Sequence, residues 1–165
     1  MKAIVVYESH WGNTAAIARA IAEGIGPGAR ALTTDEAVGP AVTNVDLLVA
    51  GAPVMMLSLP SEEARDRVEL DHKGPAGDAS HPVLRSWLDG LPSAHGVKAA
   101  AFDTRMRWTP RGAAGTIESK LRDAGYHVVS KGKGFVVQGT YGPLRDGELE
   151  RARVWGHQLA SRVAH

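Results

Sequence analysis

The chain lacks cysteine, long apolar runs and an excess of either charge, and each absence excludes a class of protein. Without cysteine there can be no disulfide, thiolate metal site or thiol nucleophile, which suits a reducing compartment, so we expect a cytoplasmic location. No apolar run reaches about 18 residues, so no membrane-spanning helix is predicted, and the N-terminus shows no secretory-signal pattern. The 19 basic and 18 acidic residues give a net charge of +1, so neither nucleic acid nor a membrane is expected as a partner.

The composition is that of one globular domain. The 165 residues are enough for a substantial core, and 44% of them are hydrophobic and 22% charged. No internal repeat, low-complexity tract or long linker divides the chain. We therefore predict a single domain over residues 1–165.

Apolar segments rich in β-branched residues or alanine alternate with segments of helical periodicity, which predicts an α/β protein with a parallel sheet covered on both faces. Strands are predicted at residues 3–7, 29–33, 46–50, 97–102 and 127–138, the last broken around Gly132 and Gly134. Helices are predicted at residues 17–25, 83–91 and 113–124, with only a turn or two within 34–45. The last helix is predicted to start at Asp146, its N-cap, and to bury Leu149, Ala152, Gly156, Leu159 and Val163.

One connection is much longer than the others. Residues 55–81 join the third strand to the next long helix, where about 2 to 6 residues are usual. They contain a charged stretch, SEEARDRVEL, followed by the loop-like DHKGPAGDAS. This extended connection is either a solvent-exposed extra helix with its acids at the favourable amino end, or a lid beside a binding site.

The loop after the first strand reads ESHWGNT and contains short donors but no lysine. It lies at the carboxyl edge of the predicted sheet, where ligands of open α/β folds bind, and the unpaired N–H groups of the following helix attract anions there. Ser9, Asn13 and Thr14 add side-chain donors, and Gly12 allows close approach. A Walker A loop, a dinucleotide fingerprint and a nucleophile elbow are each excluded by the missing lysine or glycines. The loop therefore predicts a phosphate site, unless Ser9 or Asn13 merely caps the helix.

Together with two later stretches, this loop resembles the flavodoxin family. The phosphate loop of that family reads Ser/Thr-x-Thr-Gly-x-Thr, and SHWGNT matches it at Ser9, Gly12 and Thr14. Trp11 differs from the threonine usual in the electron carriers and is similar to the bulky residues at this position in flavodoxin-like quinone reductases. VAGAPVMMLSLP and AAFDTRMRWTP follow the third and fourth strands, where the family places its other flavin loops. The resemblance spans essentially the whole chain. It implies a flavodoxin-like three-layer sandwich whose five-stranded parallel sheet has the order 2-1-3-4-5.

The resemblance also implies FMN as the cofactor. The residues themselves show no histidine spacing typical of a metal site and no Ser-His-Asp set or carboxylate pair typical of a catalytic site, so neither metal ligands nor catalytic residues are expected. Trp11 and Trp108 are expected against the flavin faces, with Tyr141 as a further candidate, since aromatic residues make up only 5% of the chain. Met55 and Met56 stand where many flavodoxins have an aromatic residue. The expected FMN-binding residues are Ser9, His10, Trp11, Gly12, Asn13, Thr14, Ala52, Pro53, Val54, Met55, Met56, Asp103, Thr104, Arg105, Met106 and Trp108.

Three arginines surround Trp108 in the third of these stretches: Arg105, Arg107 and Arg111. They form either an ordinary basic surface loop or a functional one. In the functional interpretation Arg105 lies near the pyrimidine edge of the flavin, where a cation stabilises the charge of the reduced ring and raises the midpoint potential.

Three functions are compatible with the sequence. The first is an FMN-binding electron-transfer protein that shuttles electrons between a reductase and an acceptor, its redox partner proteins. The second is an FMN-dependent oxidoreductase acting on NAD(P)H and a quinone, favoured by Trp11, the arginines and the near-neutral charge. The third is a flavodoxin fold without flavin that serves as an interaction module.

Overall fold

The computed structural model describes residues 1–71 and 74–164, and the part of the extended connection at 72–73 lies outside them. The strands are β1 Ala3–Tyr7, β2 Ala29–Thr33, β3 Leu47–Pro53, β4 Lys98–Met106, β5 His127–Val128 and β6 Lys133–Val137. They form one parallel sheet in the order β2-β1-β3-β4-β5, and β6 also pairs with β4. The predicted strand order is therefore confirmed, with a sixth strand attached.

The fifth strand position is shared by two short strands. β5 pairs with Lys98 and Ala99 at the start of β4, whereas β6 pairs with the segment from Phe102 to Met106. The predicted interruption is present, but Gly134 lies inside β6 rather than in the break. A side chain at Gly134 would press against the guanidinium of Arg105, so the glycine lets that arginine cross the strand.

The helices are α1 Asn13–Ile25, α2 Glu62–Asp71, α3 Leu84–Asp89, α4 Ala114–Asp123 and α5 Glu148–Ala164, and a single 3₁₀ turn occurs at Gly39–Ala41. Alternate strand residues face opposite layers, as the period of a strand requires. Val6 and Leu48 pack with Leu84 and Ile117 on the layer of α3 and α4. Val5 and Val49, on the other face, contact the layer of α1 and α5.

The start of α5 corrects one expectation. The helix begins at Glu148 rather than after an Asp146 cap, and Leu149 is 39% exposed instead of inward-facing. Glu148 takes the inward position because its carboxylate accepts the N–H of Val136 at 2.7 Å and pairs with Arg145 and Arg151. A buried acid with this many donors is stable, and it turns the adjacent leucine toward solvent.

The two central strands also extend further than the apolar pattern predicted. β3 continues to Pro53 and β4 to Met106, past the polar Asp103 and Thr104. The sheet tolerates these residues because Asp103 accepts the main-chain N–H groups of Ala113 and Ala114, at 2.8 and 3.0 Å. Because β3 and β4 both extend this far, the loops that follow them begin at the same edge of the sheet.

Candidate functional site

A cleft opens where the loops after β1, β3, β4 and β6 meet, at the carboxyl edge of the sheet. It encloses about 170 Å³ and continues into an open mouth. Most of the predicted site residues line it: Ser9, His10, Trp11, Asn13, Thr14, Pro53, Val54, Met55, Met56, Thr104, Arg105 and Met106. Five lining residues were not predicted: Val68, Thr109, Val137, Gly139 and Thr140. Val68 comes from α2, and the last three from the end of β6 and the loop beyond it, for which the sequence offered no distinctive motif.

The loop after β1 forms the polar end of the cleft. Gly12 does not line this cleft but an adjoining cavity, which it shares with Ser9, His10 and Trp11. It has a left-handed φ of 94° and nothing within contact distance of an added Cβ, so the main chain is accessible there. The hydroxyl of Ser9 accepts the N–H groups of Gly12 and Ala15, at 3.2 and 3.1 Å. Ser9 therefore caps the amino end of α1. Asn13 does not, because its side chain donates to the main-chain oxygen of Tyr141 at 3.2 Å.

Thr14 links this loop to the neighbouring wall of the cleft. Its hydroxyl lies 2.8 Å from that of Thr104, and both side chains are buried. Since Thr14 opens α1 and Thr104 lies in β4, the bond fixes the start of the helix against the strand that carries the opposite wall. The two hydroxyls also leave acceptor capacity toward the cleft.

The extended connection packs against His10 and Trp11. The buried imidazole of His10 lies 2.9 Å, through Nε2, from a carboxylate oxygen of Glu69, and Nδ1 has no hydrogen-bond partner among the described residues. Trp11 donates its indole N–H to the oxygen of Pro75 at 3.1 Å, and its ring meets that of Tyr141 edge-on. With Val68 in the cleft wall, α2 lies beside the site, as the lid interpretation requires.

The loop after β3 supplies an apolar wall that ends in a tight turn. Met55 is 4% exposed, whereas Met56 is 59% exposed although it also lines the cleft. Met55 and Ser58 exchange two main-chain hydrogen bonds, at 3.0 and 3.1 Å, around a turn formed by Met56 and Leu57. Ala52 is fully buried beneath this wall and does not reach the cleft.

The buried carboxylate of Asp103 forms an ion pair with the partly exposed guanidinium of Arg105. Both carboxylate oxygens of Asp103 accept from the guanidinium, at 2.7 and 2.5 Å, and Asp103 is fully buried. Asp103 is therefore a support for Arg105 and not a lining residue, while Arg105 itself faces the cleft. A bidentate pair of this kind holds the guanidinium in one orientation.

Trp108 does not contact the cleft, contrary to expectation. It is 69% exposed and sits in a turn closed by the N–H of Thr109 on the oxygen of Met106, at 3.0 Å. The turn directs Met106 and Thr109 into the cleft and leaves the two residues between them, Arg107 and Trp108, outside it.

Glu8 is a buried group that the sequence interpretation missed. It is 3% exposed, one oxygen accepts the N–H of Leu84 at 2.9 Å, and the other has no hydrogen-bond partner among the described residues. Burial raises the pKa of Glu8 to about 7, against the opposing effects of the Leu84 N–H, Arg65 and Arg85. The sequence signal that could have identified Glu8 was an acidic residue directly after a buried strand.

Residues 1–71 and 74–164 contain neither a metal-binding cluster nor a membrane-spanning helix. No three His, Asp or Glu side chains there are grouped in a way that would hold a metal ion. None of the helices in these ranges is long and apolar enough to cross a membrane.

Comparison with known proteins shows the fold. No family model and no curated protein matches the sequence. A flavodoxin from the domain Archaea superposes with a TM-score of 0.68 at 20% identity, over 100% of both chains. A cysteine-to-serine mutant of a flavodoxin from Pseudomonas aeruginosa superposes with a TM-score of 0.69 at 15% identity, also over 100% of both chains. A flavodoxin, WrbA-like protein from Agrobacterium tumefaciens reaches 0.65 at 17% identity, over 99% of this chain and 97% of that one.

The chain therefore has the flavodoxin-like fold, and the expected architecture is confirmed. Identities of 15 to 20% support the fold and leave the ligand to be argued from the cleft itself.

Proposed function

We propose that the chain binds FMN in the cleft and carries electrons between a reductase and an acceptor protein. The observation that carries this proposal is the meeting of three predicted loops in one cleft, with uncharged donors at one end and apolar walls at the other. Bound FMN would supply one- and two-electron redox chemistry, and the protein would supply binding, orientation and electrostatics.

The polar end of the cleft fits a phosphate group. The amino end of α1 attracts negative charge, and at Gly12 nothing lies within contact distance of an added Cβ. His10 brings a buried ring nitrogen without a partner to the same wall. Because Nε2 is engaged by Glu69, Nδ1 is the ring nitrogen left for a polar group of the ligand.

The remaining walls fit a flat aromatic ring. Pro53, Val54, Met55 and Val68 present apolar surface, and thioethers make favourable contacts with rings. The enclosed 170 Å³ is less than the roughly 300–1,000 Å³ of most cofactor sites. FMN would therefore not be fully enclosed, and one edge of its ring would remain in the open mouth. An electron carrier needs such an exposed edge for exchange with its partners.

The first test is an absorption spectrum of the purified protein, followed by titration of the apoprotein with FMN and with riboflavin. We expect a flavin spectrum and tighter binding of FMN than of riboflavin, because only FMN carries the phosphate. A colourless preparation that does not quench FMN fluorescence would instead support the flavin-free interaction module.

Gly12→Ala isolates the phosphate loop, with Gly96→Ala as its matched control. Both glycines have left-handed φ values, 94° and 79°, and open space around them, so both variants carry similar backbone strain. We expect only Gly12→Ala to weaken FMN binding, with little change for riboflavin. Equal losses in the two variants would remove the phosphate loop from the proposal.

Arg105 is proposed to raise the midpoint potential. Its removal would leave the buried carboxylate of Asp103 without its partner beside the cofactor, and negative charge there disfavours reduction. A redox titration of Arg105→Ala should give lower potentials than wild type. Unchanged potentials would refute this role.

A second candidate is an NAD(P)H and quinone oxidoreductase. The net charge of +1 favours it, because this chain lacks a strong acidic field for recruiting basic redox proteins. Steady-state oxidation of NADPH with a quinone by the purified holoprotein, without added reductase, distinguishes the two. Turnover supports the enzyme, and its absence supports the carrier.

A further inference from the structure

Three large apolar side chains stand in solvent at the mouth of the cleft. Met56, Leu57 and Trp108 are 59%, 51% and 69% exposed. They belong to the loops after β3 and β4, which are neighbouring strands and remain joined at their ends by the Val54 N–H on the oxygen of Thr104, at 2.9 Å. Met56, Met106 and Thr109 line the same cleft, so the two loops that carry the three exposed side chains both border it.

The turn that presents Met56 and Leu57 is under backbone strain. Both residues have left-handed φ values, 49° and 63°, in a two-residue turn closed at Met55 and Ser58. Turns of this kind favour Asn-Gly, because a large side chain in the left-handed region is sterically unfavourable. Strain retained together with exposed apolar surface is a mark of a functional segment.

Positive charge accompanies the exposed tryptophan. Arg107 and Arg111 are exposed, and neither forms an ion pair or side-chain hydrogen bond with the rest of the described chain. Arg105, by contrast, is paired with Asp103. Lys131 lines a shallow depression together with Arg111, which extends the positive surface away from the cleft.

We propose that Met56, Leu57, Arg107, Trp108 and Arg111 form a docking face for an acidic protein, one with an apolar centre surrounded by carboxylates. This inference rests on the proposed electron-transfer role, since it names the kind of partner that would reach the cleft mouth. Exposed tryptophan and arginine are the residues that dominate protein interfaces. The unpaired arginines would steer and orient a negatively charged surface.

The face fits a protein better than the other two occupants. A second copy would bring Arg107 and Arg111 toward their own equivalents across a two-fold axis, which is unfavourable. An anionic membrane attracts clusters of about four to eight basic residues, and this face has two, next to a helix whose first turn carries the exposed acids Glu62 and Glu63.

The test is equilibrium binding at low ionic strength, measured by calorimetry with the protein as purified. The probes are an acidic plant-type [2Fe–2S] ferredoxin and the basic cytochrome c. We expect the ferredoxin to bind more tightly, with an affinity that falls as salt is added. Flavin content is read separately from the absorption spectrum, so loss of docking and absence of FMN are distinguishable.

Charge reversal provides the decisive variants. Arg107→Glu with Arg111→Glu should weaken ferredoxin binding at least about tenfold, because like charges across an interface are strongly unfavourable. Lys2→Glu with Arg30→Glu is the matched control, since these exposed residues lie at the amino edge of the sheet, away from the cleft. Trp108→Ala should weaken binding at all salt concentrations.

Leu57→Gly separates docking from folding. The glycine relieves strain at φ 63°, so we expect a higher melting temperature together with severalfold weaker ferredoxin binding. Asn44→Gly, at φ 59° outside the face, should leave binding unchanged.

Three outcomes would overturn the proposal. The first is no preference for ferredoxin over cytochrome c, and the second is equal effects of the two charge reversals. The third is Trp108-dependent binding to phosphatidylserine vesicles, or Trp108-dependent self-association in sedimentation, in place of ferredoxin binding.

Discussion

The helices α1 and α2 both line the same cleft, but different forces hold them in place. α1 buries a row of apolar side chains, among them Ile17, Ala18 and Ile21, against the sheet and α5. α2 is strongly polar, and its inward contacts are few: Arg65 donates to the oxygen of His81 at 2.5 Å, Val68 lines the cleft, and Glu69 meets His10.

This difference means that the two sides of the cleft have different stabilities. Opening α1 exposes core surface and amounts to global unfolding. Opening α2 breaks a small number of polar contacts, so it can occur in the folded protein. The loop after β1 is therefore part of the rigid fold, whereas α2, which packs against it, is a separable element.

The largest effect is expected where α1 meets α5. At Gly156 an added Cβ would overlap the main-chain oxygen of Ile21, which cannot move as a side chain would. Gly156→Ala should therefore destabilise the protein by about 3 kcal/mol, measured by urea unfolding. In Gly115→Ala, within α4, the Cβ meets nothing, and about 0.5–1 kcal/mol of stabilisation is expected. Similar results for the two variants would contradict the close contact of the helices.

The next effect concerns Glu8, which directly follows β1 and accepts the N–H of Leu84 at the start of α3. Its pKa is about 7 in the folded protein and 4.5 for an ordinary glutamate, so the folded state keeps a proton that the unfolded state releases. The stability linked to this proton is present below about pH 4.5 and is lost as the pH rises through about 7.

Glu8→Gln should remove that pH dependence. Glutamine can still accept the N–H of Leu84, but it does not ionise. Between pH 5 and pH 8 we expect wild type to lose about 2 kcal/mol more stability than the variant, as measured by urea unfolding at both pH values. An unchanged difference between the two proteins would show that Glu8 titrates normally.

A smaller effect is expected from the Thr14 and Thr104 hydroxyls. Thr14→Val leaves the buried hydroxyl of Thr104 without this partner, which costs about 1–2 kcal/mol. The double variant Thr14→Val with Thr104→Val should lose less than the sum of the two single variants. Additive losses in this double-mutant cycle would mean that the two hydroxyls do not interact.

The smallest global effect belongs to α2. Glu69→Gln weakens the contact with His10, and we expect less than about 1 kcal/mol in global unfolding. Amide hydrogen exchange within α2 should nevertheless become faster, while exchange in α1 stays the same. Glu63→Gln, exposed in the first turn of α2, is the control. Faster exchange in both helices would make α2 part of the cooperative core.

Much of the architecture was predictable because it depends on periodicity. The segments 3–7 and 29–33 match β1 and β2, and α4 matches its predicted position within a residue. The end of β4 was not predictable from polarity, since Asp103 is stabilised inside the sheet by Ala113, Ala114 and Arg105. Leu149 faces outward for the same kind of reason, because the partners of Glu148 come from β6 and from either side of the helix start.

The candidate site was predicted in part. The loop after β1 was identified because short polar residues follow an apolar strand at the edge where open α/β folds bind ligands. The loops after β3 and β4 were identified through the resemblance to the flavodoxin family. Val68 was missed because nothing local distinguishes it in a charged helix. Trp108 was wrongly assigned to the cleft because the turn between Met106 and Thr109 decides which side chains point inward.

The order of apolar and polar residues along the chain was enough to dictate the layers and the edge at which a ligand would be met, because those features follow from burying apolar faces. The strand order came from the resemblance to the flavodoxin family. The pairing of His10 with Glu69, the ionisation of Glu8 and the outward position of Trp108 were decided only by the folded arrangement. Each of them depends on a neighbour that is distant in sequence or on the exact direction of a turn, and neither is encoded in local pattern.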